Sequence, residues 1–404
     1  MNYIFSSGLP RSGTALLTKS LYASNKVSMA VGPNIEIYRF LRDQLVSKLG
    51  SHLLKKKVKK YSPIQDYFGS EEGVELLKLM LTSSLKEKFK QKKFRTFLKK
   101  SISKRDHDSA DLLKHFSLLK GKTYKDIIVK LLKIIEKHRK LKNCLLSKEK
   151  FYYGFHETWN ICSLLSLARS FPKAKFYIVI RDPRSVYASL SKNGEKRKEV
   201  RVHLLSFIRH FRKYIILSDY FLGLPIFKNR LMIVKYEDLV TTPQNYLKKI
   251  CKFLNIKFNK DMTNPNKYYD FVTKKTWVPF SSFNTKFPKL NNKPIHKWKK
   301  YLSELEIKTI ELLCHKEMES MSYDFKFNEN DINFNEVMRF IKKNYNKKVS
   351  WRSDLQNFEK DKNIELIRNK LLKREIQANE LVLKKCFLFK NFSLSNLIQH
   401  YKKQ

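Results

Sequence analysis

The chain has 404 residues, of which 42% are hydrophobic and 13% aromatic, so it can bury a sizeable core in one to three domains. Its net charge is +47, from 84 basic and 37 acidic side chains, which favours anionic partners, although no nucleic-acid-binding motif accompanies the charge. No stretch approaches the roughly 18 apolar residues of a membrane span. A strand near residue 3 leaves no room for a signal peptide, and five scattered cysteines without a Cys-x-x-Cys pair are typical of reduced thiols, so we expect a cytoplasmic protein.

The first anion-binding pattern lies at the start of the chain. An apolar strand at 3–7 leads into the loop 8–14, GLPRSGT, and a helical run of apolar residues follows. Loop amides and a helix N-terminus together offer partial positive charge to a phosphate. The glycine spacing matches a nucleotide-triphosphate P-loop, but Thr14 and Ala15 stand where that motif has Lys and then Ser or Thr. Because the hydroxyl that binds Mg²⁺ is missing and Arg11 is the strong cation, the loop predicts a phosphate-type group held without metal.

Residues from about 35 to 150 have the apolar spacing of helices, interrupted by lysine-rich turns. The part at about 45–150 carries 29 basic and 11 acidic side chains. We interpret it as a helical insertion with solvated basic faces that splits an α/β core. Because it falls between two anion-binding patterns, we expect it to wall the acceptor site.

The second anion-binding pattern follows a buried strand predicted at 175–180. Arg181 stands at the carboxyl end of this strand, where open α/β sheets bind ligands. On the helix that follows, Ser185 and Ser189 share one face. Arg181 and Ser189 are therefore candidates to grip one phosphate from two sides.

Taken together, these motifs resemble those of the PAPS-dependent sulfotransferases, including their bacterial, carbohydrate and tyrosyl-protein branches (PAPS is 3′-phosphoadenosine 5′-phosphosulfate). In that family a PxSGT-type loop holds the 5′-phosphosulfate, and a strand–Arg–(x)7–Ser element holds the 3′-phosphate. The segment LMIVKYEDL at 231–239 and the run that begins KWKKYLS at 297 are similar to two further family segments. The resemblance covers roughly residues 1–44 and 151–328, and four motifs in the family's order make it specific.

The resemblance implies an α/β fold of the P-loop type, with three layers around a central parallel sheet. We expect a catalytic domain at 1–328, interrupted by the large helical insertion, and a Lys/Asn-rich helical C-terminal extension at 329–404.

The resemblance also implies how PAPS is bound, without metal. The loop and Arg11 would stabilise the charge that develops during sulfuryl transfer, and Trp277 or Phe280 is a candidate to stack on adenine. The residues expected to bind PAPS are Pro10, Arg11, Ser12, Gly13, Thr14, Ala15, Arg181, Ser189, Tyr236 and Lys293.

The acceptor needs a general base. Glu36 stands where tyrosyl-protein and some bacterial sulfotransferases place a catalytic Glu, although a first-turn carboxylate favoured by the helix dipole is an equally good reading. His156 and Glu157 end a strand predicted at 151–155, and His156 replaces a Lys that is common in the family. We expect Arg11, Glu36 and His156 to serve catalysis, His156 by lining the site rather than as the base.

The sequence therefore predicts an enzyme that moves a sulfuryl group from PAPS to a hydroxyl or amine, and the basic insertion favours a glycan or another anionic acceptor. Two alternatives stay open. A P-loop kinase-like phosphotransferase shares the strand–loop–helix start, but Thr14 and Ala15 argue against it. A non-catalytic polyanion-binding protein would use the basic helices, but Arg11, Arg181 and Ser189 argue for a PAPS enzyme.

Overall fold

The computed structural model describes residues 2–24, 26–31, 35–49, 67–102, 116–138, 151–158, 161–196, 202–264, 290, 295–346, 355 and 357–402. Its contacts divide the chain into two compact units. We call the first, made of Met1–Gly50, Leu81–Ile180 and Ile226–Asn292, the sheet unit. The second, made of Ser51–Met80, Arg181–Pro225 and Lys293–Gln404, is called the helical unit.

The described elements alternate between strands and helices in the first half of the chain, and helices follow. The strands are β1 (Asn2–Gly8), β2 (Val27–Val31), β3 (Tyr152–Glu157), β4 (Lys175–Ile180) and β5 (Leu231–Lys235). The helices, in chain order, are α1 (Thr14–Tyr22), α2 (Ile35–Leu49), α3 (Glu71–Thr82), α4 (Gln91–Ile102), α5 (Tyr124–His138), α6 (Ser163–Ser170), α7 (Pro183–Lys196), α8 (Leu204–Gly223), α9 (Tyr236–Thr241), α10 (Pro243–Leu254), α11 (Trp298–Tyr301), α12 (Glu304–Leu313), α13 (His315–Ser320), α14 (Phe334–Tyr345), α15 (Phe358–Leu372), α16 (Glu380–Phe387) and α17 (Ser395–Lys402). Within the described ranges, no helix has both the length and the apolar composition needed to cross a membrane.

The five strands form one parallel sheet in the order β2-β3-β1-β4-β5. Strand β4 is apolar and buried after its first residue, as expected for a parallel strand covered on both faces. After β1 the chain continues to β2 and β3, which lie on one side of β1, and then crosses to β4 and β5 on the other side. The strand order therefore reverses between β1 and β4, and the carboxyl ends of these two strands form the switch point at which such sheets bind ligands. The predicted α/β class with a central parallel sheet is confirmed. Sequence analysis did not identify β2, a short edge strand whose five residues carry little periodicity.

Helices α3, α4 and α5 confirm that the described parts of the insertion are helical. Helix α4 shows how its lysine-rich sequence folds. Phe94 is buried against Phe40, with ring centroids 5.2 Å apart, while Lys92 and Lys93 on the other face are exposed. The aromatic face therefore anchors the helix in the sheet unit and its basic face meets solvent.

The helical unit is held together by buried ion pairs between α8 and the C-terminal extension. Arg209 donates to Asp361 at 2.8 Å and to Glu365 at 3.0 Å, and Arg212 donates to Glu365 at 2.7 Å. Arg368, also on α15, donates to Glu317 at 2.6 Å. Burial alone would raise the pKa of Glu365, but the charges of Arg212 and Arg209 outweigh it and lower the pKa to about 2. These pairs tie the extension to the middle of the chain, and the domain boundary at residue 328 stays a prediction.

We predict that Glu365→Gln destabilises the protein by about 3–5 kcal/mol, because it leaves two buried guanidinium groups without their shared carboxylate. Urea unfolding at pH 7 measures the loss. Since the pKa of Glu365 is lowered in the folded protein, its stabilising effect is present above the unfolded pKa and disappears as the pH falls toward 2. The difference between the wild type and the variant should therefore shrink on acidification.

Glu380→Gln is the matched control, since Glu380 also lies in the extension but forms an exposed pair with Lys384. Its unfolding midpoint should equal that of the wild type. Equal midpoints for all three proteins would contradict a stabilising role for the buried pairs.

Candidate active site

The loop 8–14 follows β1 at the switch point and is packed very closely. A Cβ on Gly8 would lie 2.4 Å from Cγ2 of Thr14 and 2.7 Å from the carbonyl oxygen of Val179 in β4. A side chain at this position would therefore push the loop away from the sheet. Arg11 has a φ of 69°, the left-handed conformation that non-glycine residues adopt at some cost. The loop is thus held in a defined and strained shape.

Ser12 closes this loop from within. Its amide and its hydroxyl both donate to the carbonyl oxygen of Leu9, at 3.1 and 2.6 Å, and the hydroxyl also lies 3.3 Å from the carbonyl oxygen of Val179. Ser12 is fully buried. The amide and hydroxyl of Ser12 are thus used to hold the turn against β4. Hydrogen-bond donors for an anion therefore have to come from the residues after Ser12.

The N-terminus of α1 provides those donors. Gly13 is its N-cap residue and offers no side-chain cap, and the first turn contains no acidic residue. Within the described part of the chain, the amides of Gly13, Thr14 and Ala15 have no protein acceptor. Uncapped amides at the positive end of a helix dipole make this turn a candidate anion site.

Tyr236, the first residue of α9, packs directly on Gly13. A Cβ on Gly13 would lie 2.2 Å from Cδ2 of the tyrosine ring, and Gly13 itself has a φ of 87°. Both the backbone conformation and the ring contact therefore require glycine. The structure brings these two predicted site residues together.

His156 is part of a buried polar layer between the sheet and α1. Its Nδ1 lies 2.9 Å from the hydroxyl of Ser6, and its Nε2 lies 3.2 Å from the hydroxyl of Thr158. Tyr177, opposite Ser6 in the sheet, is 2.8 Å from the hydroxyl of Thr18 on α1. Burial lowers the pKa of His156 to about 3, so the ring is neutral at physiological pH.

Glu36 lies in the first turn of α2 and is fully buried. Nη1 of Arg39 donates to its two carboxylate oxygens at 2.9 and 3.2 Å. The two side chains, one helical turn apart, form a charge-assisted hydrogen-bonded pair. Glu157 is also buried, and its carbonyl oxygen accepts a hydrogen bond of 2.7 Å from the hydroxyl of Ser7.

Arg181 and Ser189 belong to the helical unit, and both are buried. Arg181 directly follows β4 in the chain, and Ser189 lies on α7. The nearby Ser185 donates to the carbonyl oxygen of Ile295 at 2.6 Å. Ser185, one of the two serines predicted to share this helix face, is therefore held by a hydrogen bond to a backbone group distant in the chain.

The remaining charged residues of the RDPR segment stabilise α7. Asp182 accepts from the amide of Arg184 at 2.8 Å and from its guanidinium at 2.7 and 3.0 Å. Arg184 also donates to Glu311 at 2.5 Å and lies over the ring of Trp298, 4.1 Å from its centroid. Burial would lower the pKa of Arg184, but its two carboxylate partners outweigh burial and raise it. Asp182 and Arg184 thus form a buried helix cap.

The predicted site residues therefore fall into three groups. The loop residues Pro10 to Ala15, with Tyr236, Glu36 and His156, lie in the sheet unit, and Arg181 and Ser189 lie in the helical unit. Lys293, Trp277 and Phe280 lie outside the described residues. Sequence analysis missed the supporting side chains of Ser6, Thr18 and Tyr177. The available signal was a run of hydroxyl-bearing residues in a strand and a helix that are otherwise apolar.

Comparisons with known proteins place the chain in a family. The model described as "Sulfotransferase family" matches residues 4–260. No curated protein matches the chain significantly. The sulfotransferase domain of the Synechococcus PCC 7002 olefin synthase is 17% identical, with a TM-score of 0.42, over 80% of this chain and 96% of that one.

Two further solved structures are similar. The sulfotransferase domain from the curacin biosynthetic pathway is 16% identical, with a TM-score of 0.43, over 80% of this chain and 98% of its own. Sulfotransferase STF9 from Mycobacterium avium is 10% identical, with a TM-score of 0.37, over 81% of this chain and 78% of its own. Because the family model covers more than half of the chain, the protein belongs to the sulfotransferase family and is a transferase enzyme.

Proposed function

We propose that the protein transfers the sulfuryl group of PAPS to a hydroxyl or amine group of a glycan. The observation that carries the proposal is the loop 8–14. It is closed by Ser12 against the sheet, and it leaves the amides of Gly13, Thr14 and Ala15 without a protein acceptor among the described residues. When bound, PAPS supplies an activated sulfuryl group joined to a 5′-phosphate leaving group.

The residues of the loop fit this donor. The methyl group of Thr14 faces Gly8, as the close approach of Cγ2 shows, and its hydroxyl has no partner within the described ranges. The Thr14 hydroxyl, three amides and Arg11 would hold the phosphosulfate and stabilise charge on its oxygens. Arg181 and Ser189 would hold the 3′-phosphate. A loop without the Lys and Ser or Thr of nucleotide kinases supports transfer that needs no Mg²⁺.

Glu36 is the general base in this proposal. The carboxylate is oriented by its ion pair with Arg39, and a carboxylate can take the proton of the acceptor group. His156 is a weaker candidate because both ring nitrogens already have hydroxyl partners and burial keeps the pKa at about 3. Its contacts support a role in holding α1 and the loop in place.

A glycan acceptor is supported by the charge of the insertion. Helix α4 buries its aromatic face and exposes Lys92, Lys93, Arg95 and Lys99. An exposed row of cations attracts an anionic polymer over distances of about 8 Å at physiological salt. We propose that acidic glycans reach the enzyme through this surface.

The first prediction concerns the donor. Calorimetry without Mg²⁺ should show much tighter binding of adenosine 3′,5′-bisphosphate than of 5′-AMP, because a lost charge-assisted contact costs about 1.5–3 kcal/mol. Ser189→Ala should weaken only the bisphosphate. Ser191→Ala, on the same helix and without a hydrogen-bond partner among the described residues, is the control that should change neither affinity. Labelled PAPS should transfer its sulfuryl group to a glycan panel in EDTA, and equal affinity for both nucleotides would refute the 3′-phosphate site.

The second prediction concerns the base. Glu36→Gln should slow single-turnover sulfuryl transfer by about 10²–10⁴-fold while nucleotide affinity is kept, since positioned proton transfer contributes about that much. His156→Gln, which can still bond to Ser6, should have a much smaller effect. Thermal unfolding of both variants tests whether the buried contacts survive. A near-normal rate in folded Glu36→Gln would transfer the role to His156 or Glu157.

The third prediction concerns the acceptor. Raising the salt concentration should raise the KM for an acidic glycan, because the attraction is long-range and screened. Replacing Lys92 and Lys93 with Gln should do the same at low salt. Replacing Lys342 and Lys343 on α14, which are equally exposed, removes the same charge elsewhere and should not. Identical KM values for both double variants would favour a small neutral alcohol or phenol.

A further inference from the structure

The helical unit contains a cavity of about 400 Å³ that the proposed reaction does not use. It lies between α7, the residues before α8, the start of α12 and α14. Its volume is within the usual range of small-molecule sites, roughly 300–1,000 Å³.

The cavity is walled by aromatic rings. Tyr187, Tyr301 and Phe340 line it together with aliphatic side chains. Basic residues make up 84 of the 404 residues of the chain, yet none of the described residues that line the cavity is Lys or Arg. The one carboxylate among them is Glu306. The described lining therefore contains one carboxylate and the His203 ring but no lysine or arginine, which is unusual in so basic a protein.

The lining contains a carboxylate and an amide oxygen, which accept hydrogen bonds, as well as His203 and tyrosine hydroxyl groups, which can donate them. Oε2 of Glu306 accepts from the amide and hydroxyl of Ser303, at 2.8 and 3.0 Å, in a capping box, and within the described ranges Oε1 accepts no hydrogen bond. Asn344 donates through Nδ2 to the carbonyl oxygen of Phe340 at 3.0 Å, which leaves Oδ1 without a donor in the same ranges. A ligand that bonds to these two oxygens therefore has to bring hydrogen-bond donors.

The rings also suit a cation. Nζ of Lys192 lies 5.0 Å from the centroid of Tyr301, so this ring already takes an ammonium group. The capping carboxylate occupies the N-terminus of α12, which removes that helix end as a place for an anion. Aromatic walls, a carboxylate oxygen and an amide oxygen together match a protonated amine on an apolar body.

We propose that this cavity binds a small organic amine through the Glu306 carboxylate and the rings of Tyr187, Tyr301 and Phe340. The site is separate from the residues proposed to hold PAPS, and the inference does not depend on the reaction. Three probes with the same apolar body test it: 2-phenylethylammonium, 2-phenylethanol and phenylacetate. Calorimetry and ligand-observed NMR on the full chain should rank the ammonium first, about tenfold or more above the alcohol, with phenylacetate weakest.

Glu306→Gln should remove the preference for the ammonium over the alcohol. Glutamine can still form the capping box, so the helix is kept. Glu304→Gln is the matched control: it lies in the same helical turn, pairs with Lys308 and does not line the cavity, so the preference should persist. Adenosine 3′,5′-bisphosphate should bind all three proteins equally, which separates this test from that of the reaction. Equal binding of the three probes, or an unchanged preference in Glu306→Gln, would overturn the proposal.

Discussion

The close approach of the loop 8–14 to the sheet is the constraint on which the candidate site depends. The loop backbone lies so near to β4 and Tyr236 that Gly8 and Gly13 have no room for a Cβ. This contact fixes where the first turn of α1 begins. The amides of that turn meet no protein acceptor in the described ranges, and so remain for an anion. Strain at Arg11 and burial of Ser12 are the costs of holding the loop in a shape that favours a ligand.

Basic side chains are accommodated in two ways in this protein. On α4, Lys92, Lys93 and Lys99 are exposed opposite the apolar face, and exposed cations of this kind create a field that attracts anions. A few arginines are buried, and each of Arg184, Arg209 and Arg212 has a carboxylate partner. Guanidinium groups suit this task because their planar donors can serve two carboxylate oxygens at once. The buried pairs specify how helices pack, and the exposed charges are available for a partner.

The hydrogen bonds of His156 in the buried layer beneath α1 indicate a structural role, whereas its position in the chain suggests a role near the reaction. A histidine at the end of a core strand in this family is naturally read as a group near the reaction. Here its hydrogen bonds lead to Ser6 and Thr158, and Tyr177 contacts Thr18 on the helix itself. The same neutral ring that is a poor base is a good structural hydrogen-bonding group, because neutrality lets it be buried without a charged partner.

The sequence by itself determined the features that are local in the chain. These are the loop 8–14 and the helix after it, the strands β1, β3 and β4, the helices of the insertion, and the order of motifs that identified the family. Glycine spacing and apolar periodicity are properties of neighbouring residues, so they can be read without a structure. Only the tertiary structure decided which polar groups are already occupied. Ser12 and Ser185 carry hydroxyl groups that look available in the sequence but contact the carbonyl oxygens of Val179 and Ile295, which are distant in the chain. The same holds for the pairing of α8 with α15, whose partners are about 150 residues apart in the chain. The desolvation cost of a buried charge is offset by the partner that the fold brings near, and that partner cannot be inferred from local sequence.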